Sequence, residues 1–176
     1  MKREELTPDD FNKINILTKA LLEKKLQHLN LWAHDVEYDF GNDIDVTTDT
    51  PNLVTSAFVI NAFWDAYKKT DKIYFLNLFK ASVEDLIKTI KYKEFNDNTI
   101  CFFYTTITKD CIHNANLLYS ELLAKYISLN TENNNFLIEL LKKSIRFSLN
   151  HFDNTASIPY GIEILSVDNY HTGYVI

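Results

Sequence analysis

Apolar residues recur along much of this chain with the spacing of α-helices, and the pattern predicts five helices. The first covers residues 8–28, where Thr7 can cap the N-terminus and Pro8 suits the first turn. The other four predicted helices cover residues 51–68, 72–90, 110–128 and 133–150.

The last four predicted helices alternate between a more buried and a more exposed kind. From residue 53 to residue 66 every helical face is apolar and Asp65 is the only ionisable side chain, so this helix is expected to be buried on all sides. Residues 72–90 carry charges between their apolar positions, which is typical of a half-exposed helix. The same order repeats in 110–128 and 133–150. Short connections inside each pair predict antiparallel hairpins.

The connections between the predicted hairpins are long. They cover roughly residues 30–50, 91–109 and 151–167, and loops of this length in a compact domain are usually functional. Two of them contain short β-like runs, at 99–104 and 162–165. The predicted fold class is therefore all-α, with antiparallel helical hairpins forming an arc of an α/α toroid and short β-like segments in the inter-hairpin loops.

A polar cluster opens each of the predicted inner helices 51–68 and 110–128, and a third cluster opens a further inner helix that is expected to begin near Asp168. The clusters are Thr50-Pro51-Asn52, His113-Asn114-Ala115-Asn116 and Asp168-Asn169-Tyr170-His171-Thr172-Gly173. They recur about 60 residues apart, and such a period indicates one supersecondary unit used repeatedly. We therefore expect the three clusters to lie on one shared surface, at the rim formed by the N-termini of the inner helices.

Neutral amides beside aromatic rings suit a carbohydrate, because a sugar has hydroxyl edges and C–H faces. Helix N-termini add free N–H groups at the same place. The residues expected to contact a sugar are Trp32, Asn52, Tyr104, Asn114, Asn116, Asp168, Tyr170 and Thr172. Helix capping is the alternative interpretation, because Asn, Asp and Thr are favoured N-caps.

Two histidines are the candidate catalytic residues. His113 and His171 each lie in a polar cluster, and histidine both gives and takes a proton near neutral pH. On adjacent inner helices they would form an acid–base pair. The alternative is a structural role for each histidine, so the sequence leaves open whether the protein is an enzyme.

Composition and charge narrow the class of partner. The 176 residues are 46% hydrophobic and 14% aromatic, which predicts one globular domain over residues 1–176. The net charge of −6 argues against nucleic acid as a partner. No apolar run reaches the roughly 18–20 residues of a membrane helix, and no apolar signal region follows the N-terminus. A cytoplasmic protein without membrane insertion is therefore expected.

The sequence contains no pattern typical of a cofactor or metal site. The acidic residues between 35 and 49 do not fit a calcium-binding loop, because no glycine falls at its sixth position and Thr50 stands where its final glutamate should be. The five histidines and two cysteines show no zinc spacing, and the three glycines are isolated. No cofactor is therefore expected. Cys101 and Cys111 are expected to be buried, reduced thiols.

Taken in order, the segments 50–58, 112–118 and 168–174 resemble those of a group of bacterial α/α-toroid proteins of surface-polysaccharide biosynthesis. The surface polysaccharides meant are lipopolysaccharide, capsule and exopolysaccharide. The wider relatives are N-acylglucosamine epimerase-like and six-hairpin glycosidase-like proteins. The resemblance extends over roughly residues 30–176 and is partial, because the family fold closes with further hairpins. The chain also has Trp32-Ala33 where the family has Trp-Gly.

The resemblance implies a carbohydrate-handling protein of bacterial surface-polysaccharide biosynthesis that binds a sugar or glycan at the rim. The alternative is a non-catalytic helical interaction module that self-associates as a homo-oligomer or docks on a protein partner, because an open arc leaves apolar surface uncovered. A terpenoid-type toroid enzyme is disfavoured, because the Asp-rich helical motif that binds diphosphate-linked magnesium is missing.

Overall fold

A computed structural model describes residues 6–39, 45–96, 98–129, 134–153, 157–163 and 166–167. The helices in this part of the chain are α1 (Pro8–Glu23), α2 (Leu53–Thr70), α3 (Ile73–Thr89), α4 (His113–Leu129) and α5 (Asn135–Leu149). The five helices predicted between residues 8 and 150 are confirmed, whereas the one expected to begin near Asp168 lies outside the described residues. The largest difference is at the end of α1, which stops at Glu23 where the pattern predicted a helix to residue 28.

Short strands lie in two of the long links. β1 (Tyr38–Asp39) pairs antiparallel with β2 (Asp45–Val46), and β3 (Tyr92–Asn96) pairs antiparallel with β4 (Thr99–Phe102). The β-like run at 99–104 is thus a strand over its first four residues. The second run, 162–165, forms no strand at its described residues, 162 and 163, and its other two residues lie outside the described part of the chain.

Local sequence explains where the first two helices begin. Thr7 and Asp10 form a capping box: the Thr7 hydroxyl accepts from Asp10 N at 3.2 Å, and the Asp10 carboxylate accepts from Thr7 N at 2.9 Å. Asn52 caps α2, because its Oδ1 accepts from Thr55 N at 2.9 Å. Asp71 ends α2 in the left-handed conformation, with φ of 54°, which permits the tight turn into α3.

The helices form an inner and an outer layer. Inner helices α2 and α4 pack side by side, and outer helices α3 and α5 pack on α2 and α4 respectively. Lys125 of α4 donates to Asn61 Oδ1 of α2 at 2.7 Å, and Asn61 Nδ2 donates to the Glu121 carboxylate at 3.2 Å. The central core lies between these helices and includes Leu53, Ile60, Phe63, Phe79, Leu86, Tyr119 and Leu122.

The two inner helices repeat one structural device. Ser56 and Asn116 are each the fourth residue of their helix, and each holds the link that precedes that helix. The Ser56 hydroxyl accepts from Trp32 N at 2.9 Å and donates to Trp32 O at 3.0 Å. The Asn116 Oδ1 accepts from Phe102 N at 3.1 Å. The period of about 60 residues therefore corresponds to a repeated structural unit.

The link 103–112 joins the N-terminal ends of the inner helices. Leu53 N donates to Tyr104 O at 3.0 Å, and Asn52 forms an antiparallel bridge with Thr105. The same link leads directly into α4. The first two polar clusters therefore lie at one end of the fold, as expected, whereas the third cluster, residues 168–173, lies outside the described residues.

Helix α1 runs antiparallel to α2. Near its end, Leu21 O accepts from Trp32 Nε1 at 2.7 Å, beside the start of α2. Near its beginning, the Phe11 ring lies 4.8 Å from the ammonium of Lys72, which follows the end of α2. Among the described helices, none has the length and apolar character needed to cross a membrane.

Candidate functional site

Five side chains meet at the N-terminal end of α2, and we call them the rim cluster. They are His34, Tyr38, Asn52, Thr55 and Tyr104. Asn52 is buried, whereas the other four are half-buried and so reach the protein surface. His34, Tyr38 and Tyr104 lie in the long links that precede α2 and α4. Asn52 is the N-cap of α2, and Thr55 lies in the first turn of that helix.

His34 lies at the centre of the rim cluster. Its Nδ1 is 3.2 Å from Thr55 Oγ1, and its Nε2 is 3.4 Å from the Tyr104 hydroxyl. The Tyr38 ring packs edge-on against the imidazole, with ring centroids 5.3 Å apart. A neutral imidazole has one donor and one acceptor nitrogen. One of the two hydroxyls, that of Thr55 or that of Tyr104, therefore accepts a hydrogen bond from the ring, and the other donates one to it.

Asn52 supports the rim cluster from below the surface. Its Oδ1 caps α2, its Nδ2 donates to the Tyr38 hydroxyl at 3.4 Å, and its backbone N donates to Trp32 O at 2.9 Å. Because Asn52 has no exposed surface, we place it among the residues that position the cluster. The capping interpretation of this residue is the one that the structure favours.

Burial keeps the titratable groups of the rim cluster neutral. Desolvation lowers the pKa of His34, and the nearby Asp35 carboxylate opposes this effect only in part. Burial is also the main cause that raises the pKa of Tyr38 to about 12, with a smaller contribution from Tyr104. Burial raises the pKa of Tyr104 as well, against a hydrogen bond from Asn52. Near pH 7 the cluster therefore offers neutral donors and acceptors.

His113 lies in a separate, buried environment. Its side chain is only 1% exposed, and its Nδ1 is 3.2 Å from Ser148 Oγ. The ring stacks on Phe147 with centroids 5.2 Å apart, and the His151 ring is 4.8 Å away. Its Nε2 has no hydrogen-bond partner. Burial, assisted by the nearby His151, lowers the pKa of His113 to about 4, so the ring is neutral.

The predicted acid–base pair of His113 and His171 stays a prediction, and the described structure shows the surroundings of His113 alone. His113 is enclosed between α4 and α5, and this burial keeps a substrate from its ring. His171 lies outside the described residues, so its role stays a prediction. We therefore leave His113 out of the proposed binding surface and assign it a structural role.

Asn116 is also used inside the fold rather than at the surface. It has no exposed area, and its Nδ2 donates to Ser144 O at 2.8 Å and to Ser148 Oγ at 3.0 Å. Together with the bond from Phe102 N to its Oδ1, these contacts join α4 to α5 and β4. All the hydrogen-bonding groups of this amide thus have partners within the chain, and we leave Asn116 out of the sugar-contacting surface.

Trp32 and Asn114 are likewise buried. Trp32 is 2% exposed, and its indole N–H donates to Leu21 O, so the ring packs in the core against Phe63. Asn114 accepts from the adjacent Ala115 N at 2.8 Å and is also buried. The expectation that these side chains face a sugar is therefore not met. The Trp32 indole satisfies a carbonyl near the end of α1, and the Asn114 amide satisfies an N–H at the start of α4.

Tyr104 is the one predicted sugar contact that the described structure keeps at the surface. Three other predicted contacts, Asp168, Tyr170 and Thr172, lie outside the described residues and stay predictions. The sequence reasoning missed His34, Tyr38 and Thr55. Position in the sequence could have identified two of them. His34 follows Trp32 by two residues, and Thr55 lies one turn after the cap residue Asn52.

No group of three or more His, Cys, Asp or Glu side chains within the described ranges is arranged to hold a metal ion. In the acidic segment after residue 34, Asp35 forms an exposed ion pair with Lys24, with Nζ and Oδ1 3.1 Å apart. Both side chains of this pair are largely exposed, so the contact contributes little to stability.

Neither protein-family models nor curated proteins include a match to this sequence. The fold is similar to the solved structure of endo-β-1,4-glucanase CMCax from Acetobacter xylinum, with a TM-score of 0.65 and 12% sequence identity. The match covers 95% of this chain and 56% of the glucanase, so the chain spans just over half of that protein. At this identity the likeness concerns the fold alone, and the glucanase has an α/α-toroid fold.

Proposed function

We propose that this chain is a carbohydrate-handling protein that binds a neutral sugar or glycan at the rim cluster. The observation that carries the proposal is the group of half-buried rings and hydroxyls around His34 at the N-terminal end of α2. The similarity to an α/α-toroid glucanase supports carbohydrate handling in general.

The chemistry of the rim cluster favours an uncharged ligand. Its tyrosine hydroxyls and neutral imidazole both donate and accept hydrogen bonds, which is what sugar hydroxyls require. The rings of Tyr38 and Tyr104 offer apolar faces to the C–H groups of a sugar. The five side chains include no cation, and the chain carries a net charge of −6. We therefore expect weaker binding of glycans that carry carboxylate or phosphate groups.

We propose binding rather than hydrolysis at this site. Most glycosidases use two carboxylates that flank the scissile bond. The rim cluster contains no carboxylate among its five members. A protein that holds a glycan without cleaving it is the function that this set of side chains supports best.

The finer proposal is that the glycan belongs to a bacterial surface polysaccharide, and that the chain acts during its biosynthesis. This step depends on the resemblance of the three polar segments to surface-polysaccharide proteins. It is tested by comparing fragments of lipopolysaccharide, capsule and exopolysaccharide with β-1,4-linked glucose oligosaccharides. Preference for the first group would support the finer proposal, and preference for the glucose oligosaccharides would overturn it.

Calorimetric titration with Tyr104 variants tests the binding proposal. Tyr104→Ala removes an apolar face and a hydroxyl, and we expect affinity to fall about tenfold or more, which corresponds to roughly 1.4 kcal/mol. Phe136→Ala is the matched control, because Phe136 is an aromatic residue on α5 that is 67% exposed. Equal losses of sugar affinity in Tyr104→Ala and Phe136→Ala would overturn the proposal. The absence of binding by every glycan named above would overturn it as well.

Self-association is a second candidate function, and an apolar groove between α1 and α2 favours it. The groove has a volume of about 640 Å³, and its lining includes Ile14, Leu17 and Ala62. Leu17 is 64% exposed, so a large apolar side chain faces solvent there. A second copy of this chain that covers the groove would remove this surface from water. Static light scattering that gives the monomer mass at all concentrations would contradict this function.

A further inference from the structure

The two cysteines of the chain occupy neighbouring positions in one small antiparallel arrangement. Cys101 lies in β4, and Cys111 forms an antiparallel bridge with Phe103, two residues after Cys101. Residues two apart on a strand point to the same side, and so does the residue across from them. The Cys101 and Cys111 side chains therefore lie on one face, in diagonal positions across the loop.

Both thiols are buried in the same apolar cluster. Cys101 and Cys111 pack with Phe147, and Phe103 and Ile162 cover the cluster. Cys101 Sγ donates to Phe102 O at 3.6 Å, Cys111 Sγ donates to Lys109 O at 3.9 Å, and each thiol shifts the pKa of the other. The two thiols are thus neighbours within one apolar cluster of the reduced protein.

The environment makes the two thiols chemically unequal. Interaction with the Cys101 thiol lowers the pKa of Cys111 against the effect of burial, and the Lys93 ammonium adds to the lowering. Burial raises the pKa of Cys101, and its neighbour Cys111 raises it further. Cys111 is also the less buried of the two thiols, at 3% exposure against 0% for Cys101, so Cys111 is placed to react first and Cys101 second.

We propose that Cys101 and Cys111 form a reversible internal disulfide in reaction with a small-molecule disulfide, and that this bond closes the loop that carries Tyr104. The proposal does not depend on sugar binding. It differs from the expectation of two inert, reduced thiols, because it assigns the pair as a site of thiol–disulfide exchange.

The reaction takes place in two displacement steps. Because Cys111 is only 3% exposed, the loop first opens locally and exposes its sulfur. The Cys111 thiolate then attacks one sulfur of the small disulfide, forms a mixed disulfide and releases the other half as a thiolate. Cys101 then loses its proton and attacks the Cys111 sulfur, which releases the second thiolate. The protein loses two electrons and two protons, the small disulfide becomes two thiols, and one S–S bond joins the two cysteines.

The bond would restrict a loop that connects both inner helices. Within this loop Tyr104 N donates to Asp110 O at 3.3 Å, and Thr105 bridges Asn52 at the start of α2. A disulfide between residues 101 and 111 would connect the two ends of the segment 102–110, which contains these contacts. We therefore expect slower amide hydrogen exchange at residues 103–110 in the oxidised protein.

The test is equilibration of the full chain with mixtures of oxidised and reduced glutathione, followed by alkylation and intact-mass measurement. The sequence contains two cysteines, so each product has a distinct mass. The expected product lacks two hydrogen atoms, carries no glutathione and no alkyl group, and reverts on addition of dithiothreitol. The matched controls are Cys101→Ser and Cys111→Ser. Since neither can form the internal bond, each is expected to stop at a single mixed disulfide or a free thiol.

Three results would overturn the proposal. They are two glutathione adducts on one wild-type chain, a disulfide between two chains, and two free thiols under conditions in which the urea-unfolded chain oxidises completely. Hydrogen exchange on the oxidised product is a second readout that requires no variant. Unchanged exchange at residues 103–110 would contradict the predicted restriction of the loop, even if the bond forms.

Discussion

At the scale of single residues, the polar positions of the helix starts point inward more than the sequence suggests. The Asn52 amide caps α2, and the Asn116 amide forms hydrogen bonds that connect α4 to β4 and α5. The sequence identified these residues as special, because polar side chains interrupt an apolar pattern. It could not show which way they point, since capping and ligand binding use the same residue types.

The buried His113 makes the stability of the fold depend on pH. Its pKa is about 4 in the folded protein, below the ordinary value of 6.5, so protonation favours the unfolded chain. The stability that the neutral ring provides is present above about pH 6.5 and is lost as the pH falls toward 4. We expect a loss on the order of 2 kcal/mol in the free energy of unfolding, measured by urea denaturation across this range.

Two variants separate this effect from general acid denaturation. His113→Asn places a polar group near Ser148 but cannot be protonated in this range, so the decline between pH 6.5 and 4 should become shallower. His28→Asn changes an exposed histidine and should leave the wild-type profile unchanged. Identical pH profiles for His113→Asn and wild type would contradict the assignment.

At the scale of elements, periodicity predicted the helices because each buries a continuous apolar stripe or surface. The exact ends of the helices were harder to predict from the sequence. Helix α1 ends at Glu23 because the chain turns there: Lys24 N donates to Leu21 O, and Leu26 N donates to Leu31 O across the turn. Such contacts depend on residues distant from the helix pattern itself.

The cap of α2 links stability to the rim cluster. Asn52→Ala removes the Oδ1 acceptor for Thr55 N and the donor to Tyr38, so we expect a loss of about 1–2 kcal/mol in the free energy of unfolding together with weaker sugar binding. Thr7→Ala removes the cap of α1 and should lower stability by about 1 kcal/mol without changing sugar affinity. Thermal unfolding and calorimetric titration measure the two effects.

Asn52→Ser provides a further test of the same residue. Serine is also a favoured N-cap, so stability should largely return, whereas the amide donor to Tyr38 stays absent. Full sugar affinity in Asn52→Ala would show that Asn52 does not position the rim cluster.

At the scale of the whole molecule, the alternation of buried and exposed helices predicted the layered hairpins. The similarity in fold to an α/α-toroid glucanase over 95% of the chain agrees with that architecture. The rim cluster was harder to predict, because it is assembled from two links and α2. His34 and Tyr104 are far apart in the sequence, and only the folded chain brings Nε2 of the one to within 3.4 Å of the hydroxyl of the other.

The apolar groove between α1 and α2 gives a prediction about assembly. If a second copy covers this groove, Leu17→Glu should weaken association, because the interface would have to bury a charge. Leu149→Glu is the matched control, since Leu149 is 59% exposed at the end of α5. Sedimentation equilibrium that gives the same association constant for both variants would argue against the groove as the interface.

The measurement that tests the central claim most directly is a titration of the isotope-labelled chain with neutral oligosaccharides, followed by NMR. Binding at the rim cluster predicts the largest shift changes at His34, Tyr38, Thr55 and Tyr104, and small changes at His113. No shift changes with any glycan in the panel, or changes confined to residues away from the N-terminal end of α2, would contradict the account.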